Sequence, residues 1–198
     1  FGNVGSAAAK LLARTGCRVI AVSDIKSGIY NKKGLDIEKV REYVSKNTFL
    51  EGYPEAEPIS NQDLLTTNCD ILIPAALGGQ ITKENAPKIK APMIFEAANG
   101  PMTAEADKIL TDKKVFIIPD ILANAGGVVV SYFEWVQDIQ AFFWHEKEIN
   151  EKLRGIMHNA YHSVRQMAKE RKVSNRQAAL MLGIGRVGEC ARVRGLRP

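Results

Sequence analysis

The sequence has few of the features that mark membrane, secreted and metal-binding proteins. No apolar run approaches the roughly 18 residues of a membrane span, since the stretch from Ile71 to Leu77 is short and contains Pro74. No charged segment followed by an apolar one opens the chain, so no secretory signal is predicted. The three cysteines are widely spaced and have no histidine nearby. This pattern predicts reduced thiols in a cytoplasmic protein.

Histidine is also scarce, with three residues in the chain. His158 and His162 stand four positions apart, a spacing that could ligate a metal on one helix face. No Glu-x-x motif accompanies them and no third ligand is evident, so surface or interface histidines are favoured. No metal site is predicted.

Acidic residues are nearly missing from the end of the chain. The net charge is +5, and the segment from Arg165 to Pro198 holds nine Lys and Arg residues against two Asp and Glu. A basic tail can indicate nucleic-acid binding. Here the basic residues follow helical patterns without interleaved aromatics. A solvated helix face or a contact with an acidic domain is favoured, and no nucleic-acid partner is predicted.

The first six residues, FGNVGS, match the last part of a Gly-x-Gly-x-x-Gly turn whose first glycine would precede residue 1. In such a turn the backbone approaches a pyrophosphate, and the following helix offers its N–H groups to that anion. A helical pattern from Ala7 to Arg14 and an apolar strand from Arg18 to Ser23 follow, as the motif requires.

Asp24 ends that strand, 19 residues after Gly5. A carboxylate there can accept hydrogen bonds from the adenosine ribose and would repel a 2′-phosphate, which favours NAD over NADP. An acidic turn residue is the alternative, and the spacing favours the ribose role. Lys26 and Ser27 weaken the exclusion of NADP, because both could meet a phosphate.

Strands and helices alternate along the chain, which predicts an α/β, Rossmann-like, doubly wound and mostly parallel sheet lacking its first strand. Long C-terminal helices follow it. The predicted domains are a dinucleotide-binding domain at 1–145 and C-terminal helices at 146–198, packing on it and on a missing substrate domain. The predicted strands are 18–23, 70–76, 93–98 and 115–118; the predicted helices are 36–46, 61–66, a short one capped by Thr82, 103–113, one after Gly127, 146–172 and 174–194.

Two local features complete the pattern. The residues from Ile29 to Leu35 predict a small hairpin closed by Gly34. Ser131 lies one helical turn after Gly127, and spacing alone does not decide whether its hydroxyl faces a crevice or bonds back to its own helix.

Seven short motifs lie along nearly the whole chain: Phe1–Gly5, Ala21–Asp24, Gly28–Tyr30, Pro74–Ala76, Ala98–Pro101, Pro119–Val128 and Val130–Trp135. The glycine turn alone would be weak evidence, whereas the set is specific. In their order and spacing these motifs resemble the nucleotide-binding domain of glutamate dehydrogenases.

The resemblance implies oxidative deamination of L-glutamate to 2-oxoglutarate and ammonia, with hydride transfer to NAD or NADP. It implies a pyrophosphate site, an adenosine ribose site at Asp24 and a nicotinamide end. Val128 and Ser131 would contact the substrate, with the Ser131 hydroxyl on its γ-carboxylate. The predicted cofactor residues are Gly2, Asn3, Val4 and Gly5 at the pyrophosphate, Asp24 at the ribose, Ala76, Asn99 and Asn124 at the nicotinamide, and in addition Phe1, Ser23 and Ala75.

The resemblance also implies a cytoplasmic homohexamer. It places the catalytic lysine and aspartate in an N-terminal domain outside these 198 residues, so no catalytic residue is predicted here and the chain alone is expected to be inactive. Two alternatives stay open. One is a related leucine, phenylalanine or valine dehydrogenase, which Ser131 argues against because those pockets are apolar. The other is a nucleotide-binding module without catalysis.

Overall fold

The computed structural model describes residues 1–195, which form two compact units, one ending at Phe116 and the other beginning at Ile117. The predicted α/β class is confirmed, since strands of the first unit alternate with helices and long helices follow. One three-stranded sheet is antiparallel and a second contains parallel strands. The predicted domain boundary, with a dinucleotide-binding domain at 1–145 and C-terminal helices at 146–198, stays a prediction.

The first sheet is a meander of β1 (Ala21–Ser23), β2 (Gly28–Tyr30) and β3 (Glu57–Ile59), with antiparallel neighbours. The hairpin predicted within residues 29–35 is instead formed with the preceding strand. Residues 28–35 pair back onto 19–23, and the Leu35 N–H donates to the Val19 carbonyl at 2.8 Å. Gly34 has the positive φ of 107° that only glycine adopts without strain.

The first unit contains the helices α1 (Asn3–Arg14), α2 (Ile37–Asn47), α3 (Asn61–Leu65) and α4 (Ala104–Asp112). The last three begin where the sequence places a capping side chain. Asp36 and Ser60 accept the N–H groups of Lys39 and Asp63, and Thr103 caps α4 in the same way. These local hydrogen bonds satisfy N–H groups that a helix start leaves free, so the boundaries follow from sequence.

The second sheet has the order β4 (Ile71–Leu72), β5 (Met93–Phe95) and β6 (Phe116–Ile118), with β4 and β5 parallel. Its strands are shorter than predicted. Where a short helix capped by Thr82 was predicted, the chain forms a 3-10 turn at Ala86–Lys88 with Asn85 as its N-cap residue, because Pro87 removes one backbone donor. Ile94 of β5 and Leu110 of α4 are fully buried, so both elements contribute to the core of the first unit.

The second unit is helical and consists of α5 (Asp120–Ala123), α6 (Gly126–Gln140), α7 (Glu146–Arg171) and α8 (Asn175–Val193). Two of these helices end at left-handed residues, Ala141 and Lys172. Ser174 and Gln177 form a capping box at the start of α8. That helix continues through its three glycines to Val193.

A buried polar cluster fixes the first turn of α8. The Asn175 side chain is 8% exposed, donates to the Ile117 carbonyl at 2.7 Å and accepts from Arg165 at 2.9 Å. The next residue, Arg176, forms an ion pair with Asp120 at 3.1 Å. The two hydrogen bonds of Asn175 offset the desolvation of its amide, and the bond to Ile117 joins residues 58 positions apart.

Candidate functional site

The N-terminus of α1 is open to an anion. Gly2 is the N-cap residue and makes no side-chain cap, so the first N–H groups of the helix are left for an external acceptor. An added Cβ at Gly2 would meet nothing within 4 Å, whereas one at Gly5 would lie 3.7 Å from the Ala75 Cβ. Gly2, Asn3 and Val4 are exposed. The turn therefore presents backbone to solvent beside the loop that follows β4.

Asp24 follows β1, as predicted, and its carboxylate is already engaged. Oδ1 accepts from the N–H groups of Lys26 at 2.8 Å and Ser27 at 2.9 Å, and Oδ2 accepts from the Leu50 N–H at 2.6 Å. The acidic-turn role thus occurs here. Of about four lone-pair directions on a carboxylate, these three bonds leave about one for a ribose hydroxyl.

The charge of Asp24 is stabilised by the same contacts. Partial burial alone would raise the pKa of this carboxyl, but the hydrogen bonds from Leu50, Ser27 and Lys26 outweigh burial and hold the pKa below its ordinary value. Asp24 is therefore ionised at neutral pH, the state that accepts hydroxyl protons and repels a phosphate.

The ends of β4 and β5 bring further predicted residues together. The Ala98 N–H donates to the Pro74 carbonyl at 2.9 Å, and the Gly79 N–H donates to the Gly100 carbonyl at 2.8 Å. Ala76 and Asn99 are exposed on these two loops. An added Cβ at Gly78 would lie 3.3 Å from the Asn99 carbonyl oxygen, a separation that favours glycine.

Phe1 and Ser23 lie at the start of this arrangement. The Phe1 nitrogen donates to the Ser23 carbonyl, and the Phe1 ring packs on the cluster of Ile29, Val40 and Leu50. Within the first unit, contacts thus link Phe1 to Ser23, Gly5 to Ala75 and the β4 loop to the β5 loop.

The remaining predicted residues belong to the second unit. The Asn124 N–H donates to the Asp120 carbonyl at 3.1 Å, which ends α5. Val128 and Ser131 are one turn apart on α6, and both are exposed. Their spacing of three places them on one helix face.

That face of α6 is apolar beyond the two predicted substrate residues. Val128 is 75% exposed, Tyr132 and Trp135 are each 57% exposed and Ile139 is 65% exposed. Their spacings of four, three and four residues form one stripe along the helix. Phe133 of the same helix is 4% exposed, so it belongs to the core, whereas Tyr132 and Trp135 lie at the surface.

Sequence reasoning missed the residue that positions Asp24. Leu50 acts through its backbone N–H, 26 positions away, so no side-chain pattern could reveal it. The Asn175 cluster was also missed. Asn175 directly follows the Ser174 cap, where a polar residue is ordinary. Its buried position is stabilised by a hydrogen bond to the distant Ile117 carbonyl, which no local pattern reveals.

No group of three or more potential metal-ligating side chains occurs among residues 1–195. Across the same residues, no helix is long and apolar enough to cross a membrane.

An open helix N-terminus beside the ends of parallel strands, within alternating strands and helices, defines an α/β protein of the Rossmann-like class. The sequence profile of the Glutamate/Leucine/Phenylalanine/Valine dehydrogenase family matches residues 1–195. The chain belongs to that family.

Individual glutamate dehydrogenases also match this sequence. The chain is 46% identical over 199 aligned residues to a glutamate dehydrogenase of Thermotoga maritima, covering all of this chain and 48% of the relative. A cryptic catabolic NAD-specific glutamate dehydrogenase of Bacillus subtilis is 45% identical over 198 residues, covering 98% of this chain and 45% of the relative. The chain therefore spans about half the length of these curated relatives.

A solved structure shares the fold. The hetero-hexameric glutamate dehydrogenase of Thermus thermophilus, in a leucine-bound form, superposes with a TM-score of 0.93 at 30% identity. The match covers all of this chain and 47% of the Thermus chain. The fold prediction and the resemblance are thereby confirmed.

Proposed function

We propose that this chain is the cofactor-binding part of an NAD-linked glutamate dehydrogenase, which converts L-glutamate to 2-oxoglutarate and ammonia. The single observation that carries the cofactor assignment is the uncapped α1 N-terminus, with Gly5 beside Ala75 and an ionised Asp24 at the next strand end. The names of the relatives support glutamate as the substrate and NAD as the cofactor.

The residues fit a dinucleotide in three places. The α1 N–H groups and the positive end of the helix dipole would hold the pyrophosphate. Asp24 would accept one ribose hydroxyl through its remaining lone pair. Ala76 and Asn99 on the joined loops would hold the nicotinamide end, and the cofactor would supply hydride-acceptor chemistry there. Asn124 of the second unit stays a predicted nicotinamide residue.

Ser131 is the residue proposed to select the substrate. Its exposed hydroxyl would donate to the γ-carboxylate of glutamate, with Val128 packing on the side-chain methylenes. A leucine, phenylalanine or valine side chain would leave that hydroxyl unpaired once water is excluded, which disfavours those substrates. No catalytic acid or base is assigned among these residues.

The experiment is an initial-rate assay of the full-length protein with NAD and each of four amino acids: L-glutamate, L-leucine, L-phenylalanine and L-valine. Ser131→Ala removes the proposed donor. Ser163→Ala is the matched control, because the Ser163 hydroxyl donates to the Asn159 carbonyl of its own helix at 2.9 Å.

A hydrogen bond to a charged group contributes about 1.5–3 kcal/mol. Ser131→Ala should therefore lower kcat/KM for glutamate roughly 10- to 150-fold, and Ser163→Ala should change it little. Wild-type activity with leucine and none with glutamate would favour the related dehydrogenases. Cofactor binding without activity on any of the four amino acids would leave a nucleotide-binding module.

The proposal includes a cytoplasmic homohexamer. The hexameric assembly named for the Thermus structure supports the subunit number, and the three unpaired cysteines support a reducing compartment. The molar mass of the full-length protein by light scattering tests the assembly, and a monomer or dimer would contradict it.

A further inference from the structure

Two histidines of α7 converge on one point at the surface. His158 and His162 are both exposed, and their Nε2 atoms lie 3.0 Å apart. The ring centroids are 4.2 Å apart with an interplanar angle of 71°. The facing atoms are therefore the nitrogen atoms that carry lone pairs or protons.

Two imidazole nitrogens at this distance need something between them. If both carried only a lone pair, they would repel each other, and two N–H groups would clash. One proton shared between the rings satisfies the pair, and so does a metal cation that accepts both lone pairs.

The separation of 3.0 Å lies within the range of an ordinary hydrogen bond, and it also restricts the coordination geometry of an ion bound by both rings. Metal–imidazole bonds are about 2.0–2.1 Å long. Two such bonds at a right angle therefore separate the nitrogen atoms by roughly 2.8–3.0 Å, and a tetrahedral angle separates them by roughly 3.3–3.4 Å. The observed 3.0 Å fits adjacent positions of a square-planar or octahedral ion, the geometries that Cu²⁺ and Ni²⁺ adopt with nitrogen ligands.

We propose that His158 and His162 form a two-nitrogen site for Cu²⁺ or Ni²⁺, with water in the other coordination positions. Arg154 and Arg165 stand one turn before and after the pair and add positive charge to this face. Binding would thus depend on nitrogen coordination and not on attraction by charge. Mg²⁺ and Ca²⁺, which prefer oxygen ligands, are excluded. The inference is independent of the proposed dehydrogenase function.

The test uses the full-length protein with its thiols alkylated, because Cys17 and Cys190 are exposed and would bind copper themselves. The probe is Cu²⁺, followed by calorimetry and by electron paramagnetic resonance at less than one equivalent. His158→Ala and His162→Ala remove one ligand each, and alanine preserves an exposed helix. His145→Ala, at the start of α7, is the matched control.

The wild type and His145→Ala should bind one more Cu²⁺ per chain than either site variant, with two equivalent nitrogen couplings in that extra signal. Each single substitution should weaken this binding by more than the roughly 10- to 100-fold that loss of an outer-shell partner can cause. The double variant should lose little more than each single one.

Three results would overturn the proposal. They are unchanged copper binding in His158→Ala and His162→Ala, an equal loss in His145→Ala, and additive losses that indicate two independent one-nitrogen sites. Tighter binding of Zn²⁺ than of Ni²⁺ would refute the right-angle geometry.

Discussion

Asp24→Asn separates the two roles that the structure gives to one carboxylate. The asparagine Oδ1 can still accept from the Lys26 and Ser27 N–H groups, so the turn after β1 is retained. The negative charge is lost, and the acceptor that faces Leu50 becomes an amide nitrogen. Under the proposed function, this change also removes the acceptor for the ribose hydroxyl.

The expected magnitude follows from the number of free lone pairs. Three of about four directions on the carboxylate are taken by backbone N–H groups, so NAD loses one charge-assisted hydrogen bond. That bond is worth about 1.5–3 kcal/mol, or roughly 10- to 150-fold in kcat/KM. Binding of NADP should improve, because the repulsion between the Asp24 carboxylate and the 2′-phosphate is lost. In a largely solvated site this repulsion is about 1 kcal/mol for each unit of phosphate charge.

The assay is the ratio of kcat/KM for NAD to kcat/KM for NADP in the full-length enzyme with glutamate. A ratio is insensitive to the fraction of folded enzyme, so loss of the Leu50 hydrogen bond does not distort it. The ratio should fall by two to three orders of magnitude, to a value roughly 100- to 1,000-fold below that of the wild type. Asp112→Asn is the control, because Asp112 forms an exposed pair with Lys108. An unchanged ratio in Asp24→Asn would refute the ribose role.

Further predictions concern stability. The Tyr53 hydroxyl is buried without a partner among the described residues, so Tyr53→Phe should leave the thermal midpoint of unfolding unchanged or raise it, and a clear fall would contradict this. Leu110→Ala should cost about 2–5 kcal/mol, measured as lost hydrogen-exchange protection in α4; unchanged protection would count against a packed core there. Asn175→Ala should cost about 1–3 kcal/mol, seen as faster exchange in the first turns of α8, and unaltered exchange would refute the anchoring role. Because Asp24 has a lowered pKa in the folded state, its contribution to stability should be complete above about pH 4 and be lost as the pH falls through that lowered pKa. Thermal midpoints of wild type and Asp24→Asn between pH 7 and 3 test this, and parallel curves would contradict it.

Helix starts could be predicted from the sequence because they depend on neighbours. Asp36, Ser60, Thr103 and Ser174 each cap a helix through a residue three positions later. Such a contact is visible in a window of four residues. The αL residue Lys172, directly before Val173 and Ser174, likewise ends α7 where the predicted helix stops.

Strand pairing and the chemistry of Asp24 could be predicted only in part, because they depend on distant residues. The position of Asp24 was predicted from its spacing to Gly5, but one of its three hydrogen bonds comes from Leu50, 26 residues away. The hairpin was predicted from the turn residue Gly34. Its partner strand, residues 19–23, is set by pairing and packing that this local pattern does not show. The cofactor and substrate roles of the individual residues stay predictions until ligand binding is measured.

The exposed stripe on α6 also gives the protein an optical reporter. The chain has two tryptophans. The ring centroids of Trp144 and Phe133 lie 5.6 Å apart, and the Lys152 ammonium lies 4.9 Å from the Trp144 centroid. Trp135, in contrast, is 57% exposed. Trp135 should therefore emit at long wavelength and be quenched readily by iodide. Anything that covers the stripe should shift this emission to the blue, so fluorescence can follow its occupation in real time without a label.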